Sequence, residues 1–263
     1  MVHITDQLGR DVVLEQSPKR IISLVPSLTE LIVDLGLENK IVGCTKFCVH
    51  PHHMITPVTV VGGTKQVHYD RVKSLQPDII LANKEENTAA MVTELEKIAP
   101  VYVSDINTLE QAYQCFRDYG LLFHVQEKVT RLITDIKNGF ASIPKITGSK
   151  RVAYLIWQRP FMAVGGDTYI NTILGELGFQ NAFDQDIIKG RYPEVALKDL
   201  QKVDIILLST EPFPFKENHV IELQDRTGKQ VMLVDGEYFS WYGSRMLKAI
   251  PYFKKLLSEV EKL

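Results

Sequence analysis

The chain has 263 residues, 45% of them hydrophobic and 24% charged, with a formal net charge of −2. That balance fits a globular protein of one large domain or two lobes. It offers no basic surface for nucleic acid or an anionic membrane. No run of about 18 apolar residues is present, so no transmembrane helix is expected.

The polar start MVHITDQLGRD lacks a basic-then-apolar signal segment. This leaves two compartments: periplasmic or cell-surface if a signal was removed, cytoplasmic if the chain is complete. Three cysteines, Cys44, Cys48 and Cys115, give no disulfide framework.

Residues 3–14 predict a β-hairpin with Gly9 near its turn. Residues 20–37, RIISLVPSLTELIVDLGL, predict a buried strand, a turn at Pro26 and a helix. Ser27 and Glu30 have the spacing of a capping box, which places Ser27 at the helix N-cap. Leu28, Leu31, Ile32 and Leu35 fall on one helical face, and Gly36 closes the helix. Short strands are expected at 40–45, 58–61, 79–82 and 101–103, with helices at 69–75 and 87–98. Residues 46–57 read as a loop holding His50, His52 and His53.

Leu109–Ile143 is the longest helical stretch, with a break expected near Gly120–His124. Its composition is that of a rigid connector rather than a flexible linker. The pattern then restarts. A strand at 152–157 leads through QRPFMAVGG to a helix capped by Asp167 and closed by Gly178. A short helix at 197–200, strands at 203–208 and 231–234, and helices at 217–225 and 246–261 follow.

The two halves match in order. The first carries SLQPDIILAN and VYVSD, the second DLQKVDIILLST and VMLVDGE. Strands alternating with helices imply parallel sheets covered on both faces. Ligands of such sheets bind beyond the carboxyl ends of the strands. The loops there carry Ser27, Phe47, His50, Lys65, Lys84, Glu85 and Glu86 in the first half. In the second they carry Trp157, Arg159, Phe161, Tyr192, Glu211, Phe213, Phe215, Glu237, Phe239, Trp241, Tyr242 and Arg245. Flat aromatic side chains with a few fixed charges suit a large, partly planar, polar ligand. About half of these aromatics are equally well read as core.

CTKFCVHPHH at 44–53 contains metal-ligand residue types in a spacing that matches no standard closed zinc site. Cys44 lies in an apolar strand and reads as a small buried hydrophobe. A histidine here could still serve as an axial ligand to a macrocycle-held metal. No phosphate-binding loop, G-x-G-x-x-G or G-x-S-x-G is present, and no enzyme is expected.

Segments 19–37, 41–43, 69–82, 101–105 and 192–208, together with Val234–Arg245, resemble the helical-backbone (type III) substrate-binding proteins of ABC importers, in the branch that binds cobalamin, haem or ferric siderophores. The resemblance implies two doubly wound α/β lobes joined by one long rigid helix. The N-terminal lobe would span 1–107, the connecting helix 108–147 and the C-terminal lobe 148–263. It also implies a metal-bearing chelate as ligand, with no intrinsic cofactor, an ABC permease as partner and a monomeric state.

The ligand residues expected are Ser27, His50, Lys84, Trp157, Arg159, Phe161, Tyr192, Glu237, Phe239, Trp241 and Arg245. Of these, Arg159, Lys84 and Arg245 would meet ligand carboxylates or phosphate. Asn83 also falls near a ligand position of the cobalamin binders. Asp70 matches the carboxylate that the family offers to the permease; in the second lobe that position is Lys198, beside Asp199. The alternative is a cytoplasmic corrinoid or tetrapyrrole carrier, or a chelatase-like protein, uncoupled from a transporter. An interaction module with an empty cleft is the third reading.

Overall fold

The computed structural model describes residues 1–54, 58–184 and 190–262. The chain divides into two compact units. The first comprises Met1–Ile106, Glu110–Ile136 and Tyr242–Arg245. The second comprises Asn107–Leu109, Lys137–Trp241 and Met246–Leu263.

The first unit opens with an antiparallel hairpin, β1 (Val2–Thr5) and β2 (Asp11–Leu14). A parallel sheet follows, built from β3 (Ile21–Ser23), β4 (Ile41–Thr45), β5 (Thr59–Gly62), β6 (Ile79–Asn83) and β7 (Val101–Ser104). Its spatial order is β5-β4-β3-β6-β7. Helices α1 (Pro26–Asp34), α2 (Tyr69–Ser74) and α3 (Ala89–Glu96) are its crossovers. Ile22, Val61, Val72, Ile80, Leu95 and Val101 are among its core residues.

The expected break in the long helical stretch falls at His124, whose φ is 57°. It separates α4 (Leu109–Phe123) from α5 (Gln126–Ala141). The connector is thus two helices, and α5 is the one along which the chain passes from the first unit into the second.

The second unit holds β8 (Arg151–Gln158), β9 (Phe161–Ala163), α6 (Tyr169–Glu176), β10 (Gln180–Asn181), α7 (Leu197–Leu200), β11 (Ile205–Ser209), α8 (Glu217–Thr227), β12 (Gln230–Val234) and α9 (Gly236–Ser240). Most of α10 (Arg245–Val260) belongs to it as well. Its parallel order is β10-β8-β11-β12, with β9 folded back antiparallel on β8. Leaving out β5 and β9, both sheets run second-first-third-fourth strand, so the repeat read in the sequence is a repeat of topology.

The two DIIL strands show how this repeat is specified. Both are buried along their whole length. A strand apolar on both faces gets little register information from its own pattern. The aspartate before each strand supplies it. Asp78 accepts backbone N–H bonds from Lys19 (2.7 Å) and Arg20 (2.9 Å) and returns its own N–H to Arg20 O (2.8 Å). Asp204 accepts from Arg151 N (2.7 Å) and returns its N–H to Arg151 O (2.8 Å). The ladder then begins with Ile21 opposite Ile79 in one sheet and Val152 opposite Ile205 in the other.

The helices that follow the first strands also end alike. Gly36 (φ 78°) and Gly178 (φ 86°) adopt left-handed backbone. Leu37 N bonds Ile32 O and Gly36 N bonds Val33 O; Phe179 N bonds Leu174 O and Gly178 N bonds Gly175 O. Both are Schellman endings, where glycine avoids the Cβ cost.

The helix starts differ from expectation. Pro26 takes the first helical position of α1, so Val25 is the N-cap and Ser27 makes no cap. Proline's fixed φ and missing N–H favour that position. Glu30 is therefore released from capping and forms a bidentate pair with Arg245, Nε to Oε2 at 2.7 Å and Nη2 to Oε1 at 3.1 Å. Both side chains are buried, 3% and 8% exposed. In α6 the cap is Thr168 rather than Asp167, its Oγ1 accepting from Asn171 N at 3.1 Å.

Removing one partner of a buried pair leaves an uncompensated charge, which costs about 3–5 kcal/mol. Arg245→Met and Glu30→Met should each lose stability of that order in urea unfolding. The double variant should lose markedly less than the sum.

Candidate functional site

The carboxyl ends of the two sheets are built on related local chemistry. The stretch Asp78-Ile-Ile-Leu-Ala-Asn83-Lys84-Glu85 aligns with Asp204-Ile-Ile-Leu-Leu-Ser209-Thr210-Glu211. In each, the last residue of the strand turns the chain with its side chain. Asn83 Oδ1 accepts from Glu85 N (2.8 Å) and Glu86 N (3.2 Å). Ser209 Oγ accepts from Glu211 N (3.3 Å) and donates to Glu211 O (2.6 Å).

In the first unit Asn83 is buried and its Nδ2 donates to Ser104 O and Oγ, both at 3.1 Å. Asn87 Oδ1 accepts from Asn83 N at 2.9 Å, and Asn87 Nδ2 donates to Thr64 O at 2.8 Å. The loops after β5 and β6 are thereby tied together. Lys65 Nζ donates to Glu85 O. Exposed Lys84 pairs with Asp105 at 2.6 Å. Burial pushes the Glu86 carboxyl above the usual range and Glu85 adds to this, while Lys65 and the Thr64 hydroxyl oppose it. Phe47 is 48% exposed, with Lys46 over its ring at 5.0 Å. His50 lies edge-to-face with His52, ring centroids 5.4 Å apart.

In the second unit Trp157, the last residue but one of β8, is 41% exposed and stands edge-on to Phe213 at 5.6 Å. Phe213 in turn packs on Phe215 and His219. Arg159 and Phe161, on the β8–β9 hairpin, line a cavity of about 340 Å³ together with Glu222 and Arg226 of α8. Half-buried Tyr192 precedes a segment that pairs with β9 through Val195 N to Phe161 O and Ala163 N to Pro193 O, each 2.9 Å. After β12, Asp235 caps α9 by accepting from Glu237 N at 3.0 Å. Glu211 Oε1 accepts from Ser240 Oγ (2.7 Å) and Trp241 Nε1 (3.1 Å). Burial raises the Glu211 carboxyl pKa; the Glu237 and Asp235 carboxylates add to this, while the Ser240 and Trp241 donors oppose it.

Three of the expected ligand residues are buried. Ser27 is buried, and Gly243 passes close over its carbonyl. Arg245 is committed to Glu30. Phe239 is fully buried against Tyr154 and Phe253, both centroids at 5.0 Å, and is core. In the second unit Trp157 lies near the end of β8, Arg159 between β8 and β9, Phe161 at the start of β9, Tyr192 in the segment before α7, Glu237 in α9 and Trp241 just after it; in the first unit His50 follows β4 and Lys84 follows β6. Asp70 is exposed in the first turn of α2, and Lys198 is exposed in α7.

Cys44 and Cys48 are buried; the Cys48 thiol contacts Thr29 Oγ1 (3.2 Å) and Thr45 Oγ1 (3.3 Å). Among the described residues no three His, Cys, Asp or Glu side chains gather as a metal site, and no helix is long and apolar enough to cross a membrane. Residues 55–57 of the histidine loop lie outside the described residues. Glu211 was legible as a loop residue, but its role depends on donors 29 and 30 positions further along the chain.

The family described as periplasmic binding protein matches residues 21–233, most of the chain. The chain belongs to that family. Its members are binding proteins. An uncharacterised ABC transporter substrate-binding lipoprotein, YvrC of Bacillus subtilis, is 28% identical over 69% of this chain and 60% of its own length, so the chain spans about three-fifths of that relative. A vitamin B12-binding protein of Photorhabdus laumondii is 24% identical over 74% of this chain and 72% of that protein. The catecholate-siderophore binding protein VctP of Vibrio cholerae superposes with a TM-score of 0.77 at 17% identity, covering 100% of this chain and 99% of that one. This likeness establishes the helical-backbone binding-protein fold.

Glu86 and Glu211 have pKa values raised above the ordinary glutamate value of 4.5, so the native state holds protons more tightly than the unfolded state. Their stabilising contribution is complete below pH 4.5 and is lost as pH rises through the raised values. Glu211→Gln should therefore raise the melting temperature relative to wild type at pH 8 and give no gain at pH 4, read by thermal scans.

Proposed function

We propose that this chain is a substrate-binding protein for a metal-bearing chelate, a corrinoid, haem or ferric siderophore, and that it serves an ABC importer. It acts outside the cytoplasmic membrane as a monomer and performs no chemistry on its cargo. The observation that carries this reading is the family match across residues 21–233, supported by relatives described as vitamin B12-binding and ABC substrate-binding proteins.

The side chains at the carboxyl ends of the sheets suit such a cargo. Trp157, Phe161, Tyr192 and Trp241 offer ring surface for a planar chelate. Arg159 and Lys84 meet its carboxylates or phosphate, and Glu237 accepts from its amides. His50 supplies an imidazole for the metal. Asp70 faces the permease.

The test is a titration with hydroxocobalamin, haemin and ferrichrome, read by visible difference spectra and melting temperature. At least one should shift its spectrum and stabilise the protein, by about 2.7 kcal/mol at a hundredfold excess over Kd. If none does either, the chelate reading fails. Trp157→Ala should weaken binding of the active probe by about 1–3 kcal/mol, the scale of a buried aromatic contact. Asp70→Ala should leave that affinity unchanged and lower uptake through the permease, measured with the radiolabelled probe.

A further inference from the structure

We infer that Glu211 is a positioning residue for Trp241, fixing the indole ring so that it presents its face rather than its N–H to cargo. This rests on the reading above, and it is argued from contacts inside the second unit.

Glu211 is itself held from three sides. Ser209 Oγ bonds both its N–H and its carbonyl. Gly236 has no side chain where the Glu211 stem passes; a Cβ there would stand 2.4 Å from Glu211 Cγ. Gly236 is fixed in turn by its N–H donating to Thr210 Oγ1 at 2.9 Å. The carboxylate is thus directed at the end of α9, where one oxygen accepts from both Ser240 Oγ and Trp241 Nε1. Gly236 O, 2.9 Å from Ser240 Oγ, is a second acceptor within reach of the same hydroxyl proton.

Trp241 follows α9, where helical backbone gives way to an extended conformation (φ −89°, ψ 109°). There the charge-assisted hydrogen bond from Trp241 Nε1 to Glu211 Oε1 restrains the rotamer of a bulky side chain. An indole whose only polar atom is already bonded recognises a partner through its π face. A pre-set ring also avoids the ordering cost of binding. A carboxylate half-removed from water is costly to keep, and the two donors on Glu211 offset part of that cost.

The experiment uses the full chain with Trp157→Phe, which leaves Trp241 as the sole tryptophan. Glu211→Leu should shift its emission to the red and raise the acrylamide quenching constant about twofold, as expected for a ring no longer held by its hydrogen bond. Glu211→Gln, which keeps an acceptor oxygen, should restore the parental emission. Parental emission and quenching in Glu211→Leu overturn the inference, as does a failure of Glu211→Gln to rescue them.

With Trp157 present, hydroxocobalamin, haemin and ferrichrome are titrated against the same variants. Glu211→Leu should weaken the probe that binds wild type by about tenfold, the size of one lost hydrogen bond. It should add nothing to the loss caused by Trp241→Ala. Additive losses overturn the inference. If wild type binds none of the three, the proposed function fails, and emission and quenching alone decide the role of Glu211.

Discussion

One backbone clamp, used twice, fixes how each sheet is assembled. Asp78 and Asp204 each tie the start of a third strand to the start of the first through two-way backbone bonding with Arg20 and Arg151. Every later feature inherits that register. From there β3 pairs with β6 as far as Ser23 opposite Leu81, and β8 with β11 as far as Leu155 opposite Leu208. In strands apolar on both faces a slip by one residue carries little hydrophobic penalty. A charged side chain bonding main-chain amides penalises it directly.

The same eight-residue pattern carries the chain from scaffold to chemistry. Its aspartate sets the register, its four apolar residues fill the core, and its Asn or Ser turns the chain out of the sheet. Its glutamate then emerges in a loop. Asn83 and Ser209 bond the amides of Glu85 and Glu211, so those loops are organised by the strand they leave. Burial then raises the pKa of Glu86 in one unit and of Glu211 in the other. A protein that has to present fixed polar groups to a large ligand gains from loops anchored in this way, because less ordering remains to be done on binding.

Much of the architecture could be read from local pattern. The glycine after each first helix, the two DIIL strands and the break at His124 are short-range signals, and the structure places them close to where the pattern does. Two kinds of feature escaped. β9 and β10 are too short to show a period, and α9 lies in a stretch rich in aromatic residues that reads equally well as loop. The Ser27–Glu30 spacing was a true motif with a competing neighbour: Pro26 is a stronger helix starter, and Glu30 had a partner 215 residues away.

The candidate site divides along the same line. Sequence alone determined which loops stand at the carboxyl ends of the strands, since that follows from the alternation of strand and helix. It also determined that these loops are rich in aromatic and charged residues. Tertiary structure decided what surrounds each of those side chains. Phe239 went to the core, Ser27 beneath Gly243, and Arg245 to Glu30. Glu211, a loop residue by pattern, became the support of Trp241. Burial and partnership are sums over contacts from distant parts of the chain, and no periodicity records them. The opening strand–turn–helix therefore specified its own scaffold, while the chemistry around it was settled by segments that return from the far end of the sequence.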